Sequence, residues 1–586
     1  MTDHNQSKNR MAATALTALY ALSALLLAGC GDGSNSGSGV SADTAQSQRM
    51  NPVTQPAAAI VSGRITYDFV PAVSSKDQQG QWLAKLDYAS TVQKPARNVV
   101  VELINDKSGK VLLSTATDSQ GNYSFQAALD TAMHVRAKAQ MLRVAGKTPG
   151  PSWNFAVRDN SSDGYGATVD GAALFAMDGA SFNSGKKGSI HDLNAASGWD
   201  PASATYANSR SAAPFAILDT VYSASHKVLE ADQNLSFPPL NVFWSPGSDD
   251  GTYFQGAGDK TLRGLHILGH EDVDTDEYDA GVIAHEWGHY FQAGFSRDDS
   301  IGGSHSSANL LDMRLAFSEG WGNAFSSMAR SDPMYVDTQG PAQANAAVVF
   351  KVDEIPDNVA KAWFGEVAVQ SVLYRLHQSP DIGFKPIYQA MAAQKKSPAF
   401  TSLFSFATSL RGSINPASQA TLDNLLAEIN TVDKDQLDMF GLRQTALPPA
   451  IVAANKDFVL PVYTTLEAGV KSKTAGAGKD ATLCTTSAYG KANKLGINRY
   501  LRFSLAQKGK QTLRITADAG VYPTFQLFSK GEQIAGKMVK DPKLDSTYNL
   551  DYDLAAQDDY VATINAGANS GCFKITLAQT NAGEAQ

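Results

Sequence analysis

Two histidines four residues apart with a glutamate between them, His285-Glu286-Trp287-Gly288-His289, are the most chemically suggestive residues of this 586-residue chain. On one helix, imidazoles at i and i+4 share a face and can hold a single tetrahedral zinc ion. The intervening carboxylate then lies close enough to handle protons on a water at the metal. A hydrolytic zinc takes three protein ligands and keeps a fourth position open. Thirty residues after His289, the run Glu319-Gly320-Trp321-Gly322-Asn323 offers Glu319 as the third ligand, inside a second helical pattern from about Asn309 to Met328. Leu315, Glu319 and Asn323 fall on one face of that helix, so Asn323 can hydrogen-bond a ligand imidazole through its amide carbonyl.

These side chains need elements to position them. Val282, Ile283, Tyr290 and Phe291 provide an apolar face for a first helix of roughly 15 to 18 residues. The spacing of Asp274 and Glu277 predicts a capping pair at its start, with Asp276, Glu277 and Asp279 placing negative charge at the positive helix end. The acidic run Glu271, Asp272, Asp274, Asp276, Glu277 and Asp279 lacks the D-x-D-x-D-G spacing of a calcium loop and reads as a solvated helix entrance. His266 and His270, flanking Ile267-Leu268, read as the end of a strand. Tyr253, His305, Tyr374 and His377 are candidates, by residue type alone, for the group that stabilises an oxyanion.

H-E-x-x-H followed by E-G-W-G-N resembles the gluzincin metallopeptidases, and in particular the fungalysin and thermolysin groups. Asp279-Ala280-Gly281-Val282-Ile283-Ala284 is similar to the fungalysin lead-in, and Gly365-Glu366-Val367 resembles a later helix of that group. Asn241-Val242-Phe243-Trp244 resembles the N-x-F-W edge strand that holds substrate backbone in thermolysin-like enzymes, which makes Asn241 and Val242 expected substrate contacts. These pieces cover about 150 residues. The resemblance implies Zn2+ as cofactor, His285, His289 and Glu319 as its ligands, Glu286 as general base and a peptide or protein as substrate. One departure is Asn323, where those families carry Asp: an amide carbonyl still accepts from imidazole N–H but brings no charge.

The rest of the chain bounds the reading. Its length calls for about three domains. A net charge of -8 with no basic patch excludes nucleic acid as a partner. Lys8 and Arg10 precede an apolar run from Met11 to Leu27, and the ending Leu27-Ala28-Gly29-Cys30 resembles the bacterial lipobox. That resemblance implies a lipoprotein signal peptide over 1–30 with cleavage just before Cys30, which becomes the lipidated first residue, and Gly31 after it favours the outer membrane. Residues 31–57, rich in Gly, Ser, Asn and Gln, read as a flexible linker. From 58 to 145, alternating strands and Thr117-Asp118-Ser119-Gln120-Gly121-Asn122-Tyr123 resemble a carboxypeptidase regulatory-like, transthyretin-type β-sandwich. Residues 146–205 read as an irregular connecting region, 206–445 as the metallopeptidase domain, and 457–582 as a C-terminal β-sandwich. Cys484 and Cys572, the cysteines left once Cys30 is assigned to lipid, imply one disulfide in an exported chain.

The expected architecture is therefore multidomain: an α+β zinc-peptidase domain flanked by N-terminal and C-terminal all-β sandwich domains. The expected function is a zinc-dependent endopeptidase of the bacterial cell envelope, held to the membrane by lipid. A non-catalytic envelope lipoprotein that binds protein or carbohydrate, with a degenerate zinc domain, is the competing expectation. Oligomeric state and cleavage preference are not legible in the residues.

Overall fold

The computed structural model describes residues 58–579 apart from 162–171, 257–262, 345, 432–436, 445–458, 468–479, 487–492, 506–507, 539–546, 557–558 and 568–569. The expected signal peptide 1–30, the lipidated Cys30 and the linker 31–57 lie outside the described residues.

Alternation builds the largest sheet. In β3 (Ala132–Arg143) Met133, Val135, Ala137, Ala139 and Met141 point into the core while their neighbours point away. On one side of it lie β1 (Val99–Asn105) and β2 (Val111–Ala116), and on the other β4 (Trp153–Asp159), β5 (Leu240–Trp244), β7 (Gly264–His266) and β6 (Tyr253–Gln255). The order is β6-β7-β5-β4-β3-β1-β2, with Ala176–Asp178 and Phe182–Asn183 beside β3, nine strands in all. β5 runs parallel to both neighbours, β4 and β7. Its Val242, Phe243 and Trp244 are buried, as strands covered on both faces require.

This sheet corrects three expectations. Val99–Asn105, Val111–Ala116 and Ala132–Arg143, assigned to a separate N-terminal sandwich, share this sheet with strands of the helical region, while Ala58–Phe69, Val92–Pro95 and Asn122–Ala128 belong to a second, five-stranded sheet; a continuous hydrophobic core runs from Val61 through Phe155 and Ile217 to Phe406. Boundaries at 145 and 205 thus cut through a single layer. Trp153–Asp159, expected as an irregular strand of a connecting region, is a regular interior strand of this sheet. Asn241 and Val242 lie on an interior strand, so their backbone groups face ladder partners rather than substrate; Asn241 Oδ1 accepts from Arg158 Nε at 2.7 Å.

Helix α1 (Ala213–Leu229) packs into the same core through Phe215, Ile217, Val221 and Val228. After β8 (Asp274–Thr275) come α2 (Ala280–Phe295) and α3 (Met313–Arg330), then the hairpin β9 (Met334–Gln339) and β10 (Ala346–Lys351), and α4 (Glu366–Gln378). Asp279, not Asp274, occupies the N-cap of α2; Asp274 sits in β8 opposite Gln339. Nor is the entrance solvated: Asp276, Glu277 and Asp279 are each 2% exposed or less. The hairpin and the sheet close over them, and Arg210 pairs with Glu277 inside.

The C-terminal region is a two-layered β-sandwich with its own core, in which Phe503, Leu513, Ile515, Phe525, Leu527 and Phe573 meet. One sheet holds Tyr463–Thr465, Arg499–Ser504, Asp559–Asn565, Thr524–Ser529 and Glu532–Met538; the other holds Ala481–Thr485, Gly571–Gln579, Gly509–Ala517 and Thr547–Leu554. Cys484 faces Cys572 across adjacent strands, and the two are disulfide-bonded. The module grips the start of α3: Asp312 N donates to Asn493 O at 3.0 Å, and Asn498 Nδ2 to Asp312 Oδ2 at 2.8 Å.

Replacing both cysteines by serine is expected to destabilise the sandwich by about 3–5 kcal/mol, the chain-entropy value for so long a loop. Because the sandwich has a separate core, scanning calorimetry should show its transition lowered while zinc content is unchanged. An identical thermogram would rule out a stabilising bond.

Candidate metal centre

Helices α2 and α3 cross where both carry glycine. A Cβ on Gly288 would sit 3.2 Å from Gly322 Cα, and one on Gly322 would lie 2.7 Å from His285 Cε1. The missing side chains let the imidazole of one helix lie against the backbone of the other. Around this contact Trp287 stacks on Phe325 (5.3 Å between centroids), and Trp321 Nε1 donates to Gly288 O at 3.0 Å.

Three acceptor atoms converge there. His285 Nε2 lies 3.1 Å from His289 Nε2 and 3.2 Å from Glu319 Oε2, and His289 Nε2 lies 3.6 Å from the same oxygen. Both rings are held from behind. His285 Nδ1 is 2.8 Å from Asn323 Oδ1, which accepts its proton, and Asn323 Nδ2 in turn donates to Gln370 Oε1 at 2.8 Å. His289 Nδ1 is 3.2 Å from Ser318 Oγ, whose own proton can go to Asp298 Oδ2 at 3.0 Å. With both Nδ1 atoms donating, both Nε2 atoms turn lone pairs toward Glu319.

Such a set repels itself unless a cation sits among its members. Ligands on a tetrahedral zinc at about 2.0–2.1 Å lie about 3.3 Å from one another, which is the spacing seen, and two imidazoles with one carboxylate are a zinc donor set. The residues therefore fit the metal. The surrounding electrostatics act in the same direction. Burial opposes a charge on His289, yet Glu319, Glu286 and Asp298 raise its imidazole to about 10. Burial likewise works against ionising Glu319, but His289 and His285 hold it well below the usual carboxylate range. The pocket favours positive charge, and a metal would compete with a proton for it.

Glu286 is half-buried on the same helix. Burial raises its carboxyl, against the opposing pull of His285, His289 and the Phe254 backbone N–H. Of the four oxyanion candidates, His305 is the one that touches the cluster among the described residues. Its Nε2 is 3.3 Å from Glu319 Oε2, and its Nδ1 donates to Glu366 Oε2 at 2.7 Å. Burial disfavours its charge, but Glu366 and Glu319 raise its pKa all the same. Tyr253 instead stacks on His266, and Tyr374 packs beside His377. Sequence reasoning did not reach Ser318, Asp298, Gln370 or Tyr335, whose ring meets His285 edge-on at 6.3 Å. Ser318 was discoverable from its place one residue before Glu319; nothing in the spacing marks the others.

Residues 223–426, less than half of the chain, match the family described as Mycolysin C-terminal domain, and this stretch contains all of α2, α3 and α4. The chain is thus peptidase-associated. No curated protein matches it. Among solved structures it is similar over 19% of its length to the pre-peptidase C-terminal domain of Bacillus anthracis collagenase, covering 94% of that chain at 10% identity and a TM-score of 0.14. It is also similar to the Aeromonas hydrophila periplasmic inhibitor of g-type lysozyme, PliG, with 20% of this chain and 98% of that one covered at 15% identity and a TM-score of 0.12. Likenesses this slight carry no argument.

Gly322→Ala should push the His285 ring off the cluster, since the new methyl would overlap it. Zinc affinity is expected to fall about 10- to 100-fold, the usual range when a group that orients a metal ligand is disturbed. Chelator competition measures this, and unchanged affinity would mean His285 is not a ligand.

Proposed function

We propose that the chain is a zinc-dependent endopeptidase acting at a bacterial cell envelope. The observation that carries this reading is the convergence of His285, His289 and Glu319 with Glu286 beside them. Zinc bound by those three residues supplies Lewis acidity, polarising the scissile carbonyl and acidifying a water. Glu286, its carboxyl raised by enclosure, takes the proton from the attacking water and delivers it to the leaving amine nitrogen. His305 is held by Glu366, which with Glu319 favours its protonated form, and in that form would present Nε2–H toward the cluster, where negative charge grows on the carbonyl oxygen.

A peptide bond as substrate is supported by the peptidase-associated match over 223–426. The sheet edge on the side of α2 is β6, whose Phe254 N–H is turned to Glu286. An extended peptide laid beside it would bring its carbonyl to the reacting groups. Localisation rests on Leu27-Ala28-Gly29-Cys30 and the polar linker after it, which support a lipid on Cys30 and an outer-membrane anchor.

Kinetics on unfolded casein test the mechanism. Glu286→Gln should keep one zinc per chain and lose hydrolysis, whereas His305→Ala should keep zinc and lower kcat about 10²- to 10³-fold with little change in KM. Hydrolysis surviving in Glu286→Gln would sink the role of that carboxylate, and loss of zinc in His305→Ala would make His305 a positioning residue for Glu319. Full zinc occupancy in the parent without any hydrolysis would favour the non-catalytic lipoprotein.

The anchor has its own test. Cys30→Ala should move the protein from the membrane fraction to the soluble fraction, and mass spectrometry of the mature parent should find an acylated Cys30 at its N-terminus. An unmodified N-terminus would exclude the anchor.

A further inference from the structure

Where β8 leads into α2, carboxylates crowd together with nothing positive among them. One oxygen each from Asp274, Asp276 and Asp337 lies within 4.8 Å of the others. Asp274 comes from β8, Asp276 from the turn before α2, and Asp337 from β9, so the group joins the entrance of the ligand helix to the hairpin behind it. Among the described residues none of the three is in an ion pair. The nearby Arg210 is committed to Glu277, Thr275 and Gly269 O, and Arg330 to Ser326 O and Met334 O.

A second observation concerns hydrogen bonding. Asp276 is 2% exposed; one of its oxygens accepts from Thr252 Oγ1, and the other, Oδ1, is buried without a partner. Asp274 Oδ1 is in the same condition. Asp279, next to them at the N-cap, accepts from Thr338 N and Oγ1 with Oδ2, while its Oδ1 is also buried and unpartnered. A carboxylate oxygen shut away from water without a donor costs several kcal/mol, and proteins normally leave such groups paired or on a metal. Two orphaned oxygens inside the cluster, with a third on the adjoining N-cap residue, point to a missing cation; Asp337, the remaining member, accepts from Gln339 Nε2 at 3.2 Å.

We propose that Asp274, Asp276 and Asp337 bind a calcium ion that ties the start of α2 to β9. The donors are all carboxylate oxygens, the hard set that calcium takes and zinc does not prefer. Asp274 and Asp337 are only half-buried, which leaves room for the waters that complete six to eight ligands. Without the ion, burial and the neighbouring Asp337 raise Asp274 to about 7, burial raises Asp337 to about 6, and burial with the surrounding carboxylates pushes Asp276 well up, so calcium would compete with protons here and bind more tightly as pH rises. The run does not follow a calcium-loop spacing because the third ligand is more than sixty residues away in sequence.

The test is equilibrium dialysis of the full chain with radioactive calcium, after a chelating resin and return of one equivalent of zinc. This binding readout does not depend on whether the chain is a peptidase. One calcium per chain is expected, with Kd about 10⁻⁵ to 10⁻³ M, and Asp276→Asn and Asp337→Asn should each weaken it at least about tenfold. Saturating calcium should raise the unfolding midpoint of the parent by several degrees and leave the variants unmoved. In calcium-free buffer the variants should melt no lower than the parent, because each removes an uncompensated charge. The half-buried Asp337 gives a variant that folds even where Asp276→Asn does not, and terbium luminescence excited through Tyr335 gives a second readout on the parent alone. No calcium bound at about 10 mM, or binding unchanged in Asp337→Asn, would overturn the proposal.

Discussion

The close crossing of α2 over α3 is the constraint on which the rest of the centre depends. Helices packed through large side chains lie 8–10 Å apart. At Gly288 and Gly322 nothing intervenes but backbone, so a ring on one helix and a carboxylate on the other reach a common point. A methyl at 322 would overlap the His285 ring, and one at 288 would press on the Gly322 backbone and push the helices slightly apart. The aromatic residues on either side, Trp287, Phe291, Trp321 and Phe325, fill the space that the glycines leave along the crossing. They are buried completely, and their rings resist the sliding that would part the ligands.

Two other parts of the molecule hold that crossing in place. From one side α4 reaches in with Gln370 and Glu366, the first fixing Asn323 and through it His285, the second fixing His305. From the other, the segment around Asn493 and Asn498 bonds to Asp312, the N-cap of α3, whose carboxylate also accepts from Arg314 N and Nε. The C-terminal sandwich has its own core, yet it touches the helix that bears Glu319 at its N-cap, where backbone N–H groups have no partner within the helix. The module is thus a clamp on the ligand helix as well as a separate fold.

Patterns confined to one helix were the most legible. His285 with His289, and Glu319 with Asn323, share helix faces by i, i+4 spacing; that Asn323 bonds His285 rather than His289 is visible only in the fold. Two cysteines in one strand-rich stretch pointed to the bond that joins Cys484 and Cys572. What failed was whatever depended on which strands become neighbours. Alternation in Val99–Asn105 and Ala132–Arg143 marks strands but is silent on their partners, so a sheet that continues through Trp153–Asp159 to Leu240–Trp244 looked like two modules with a loop between them. The same blindness made Asn241 an edge residue. Asp276 and Asp279 misled for a different reason: acidic residues are ordinarily solvated, and only the folded hairpin shows these two enclosed. His305 lies in a glycine- and serine-rich loop where no period exists to read.

Asn323 becomes intelligible once the charges around the cluster are counted. Glu319 and Glu286 carry two negative charges toward the point where the imidazoles meet, and a divalent ion would balance them. Asp298, reached from His289 through Ser318, and Glu366, bonded to His305, place two more carboxyl groups beside the cluster. An aspartate at 323 would place a further charge in a pocket where the residue is 7% exposed, facing a glutamine oxygen. The amide avoids this. Its carbonyl accepts from His285 while its NH2 donates to Gln370, so both ends are satisfied and the imidazole keeps its tautomer without an added buried charge. The orienting function survives in neutral form because orientation depends on an acceptor in the right place, and only the basicity of the ligand depends on that acceptor's charge.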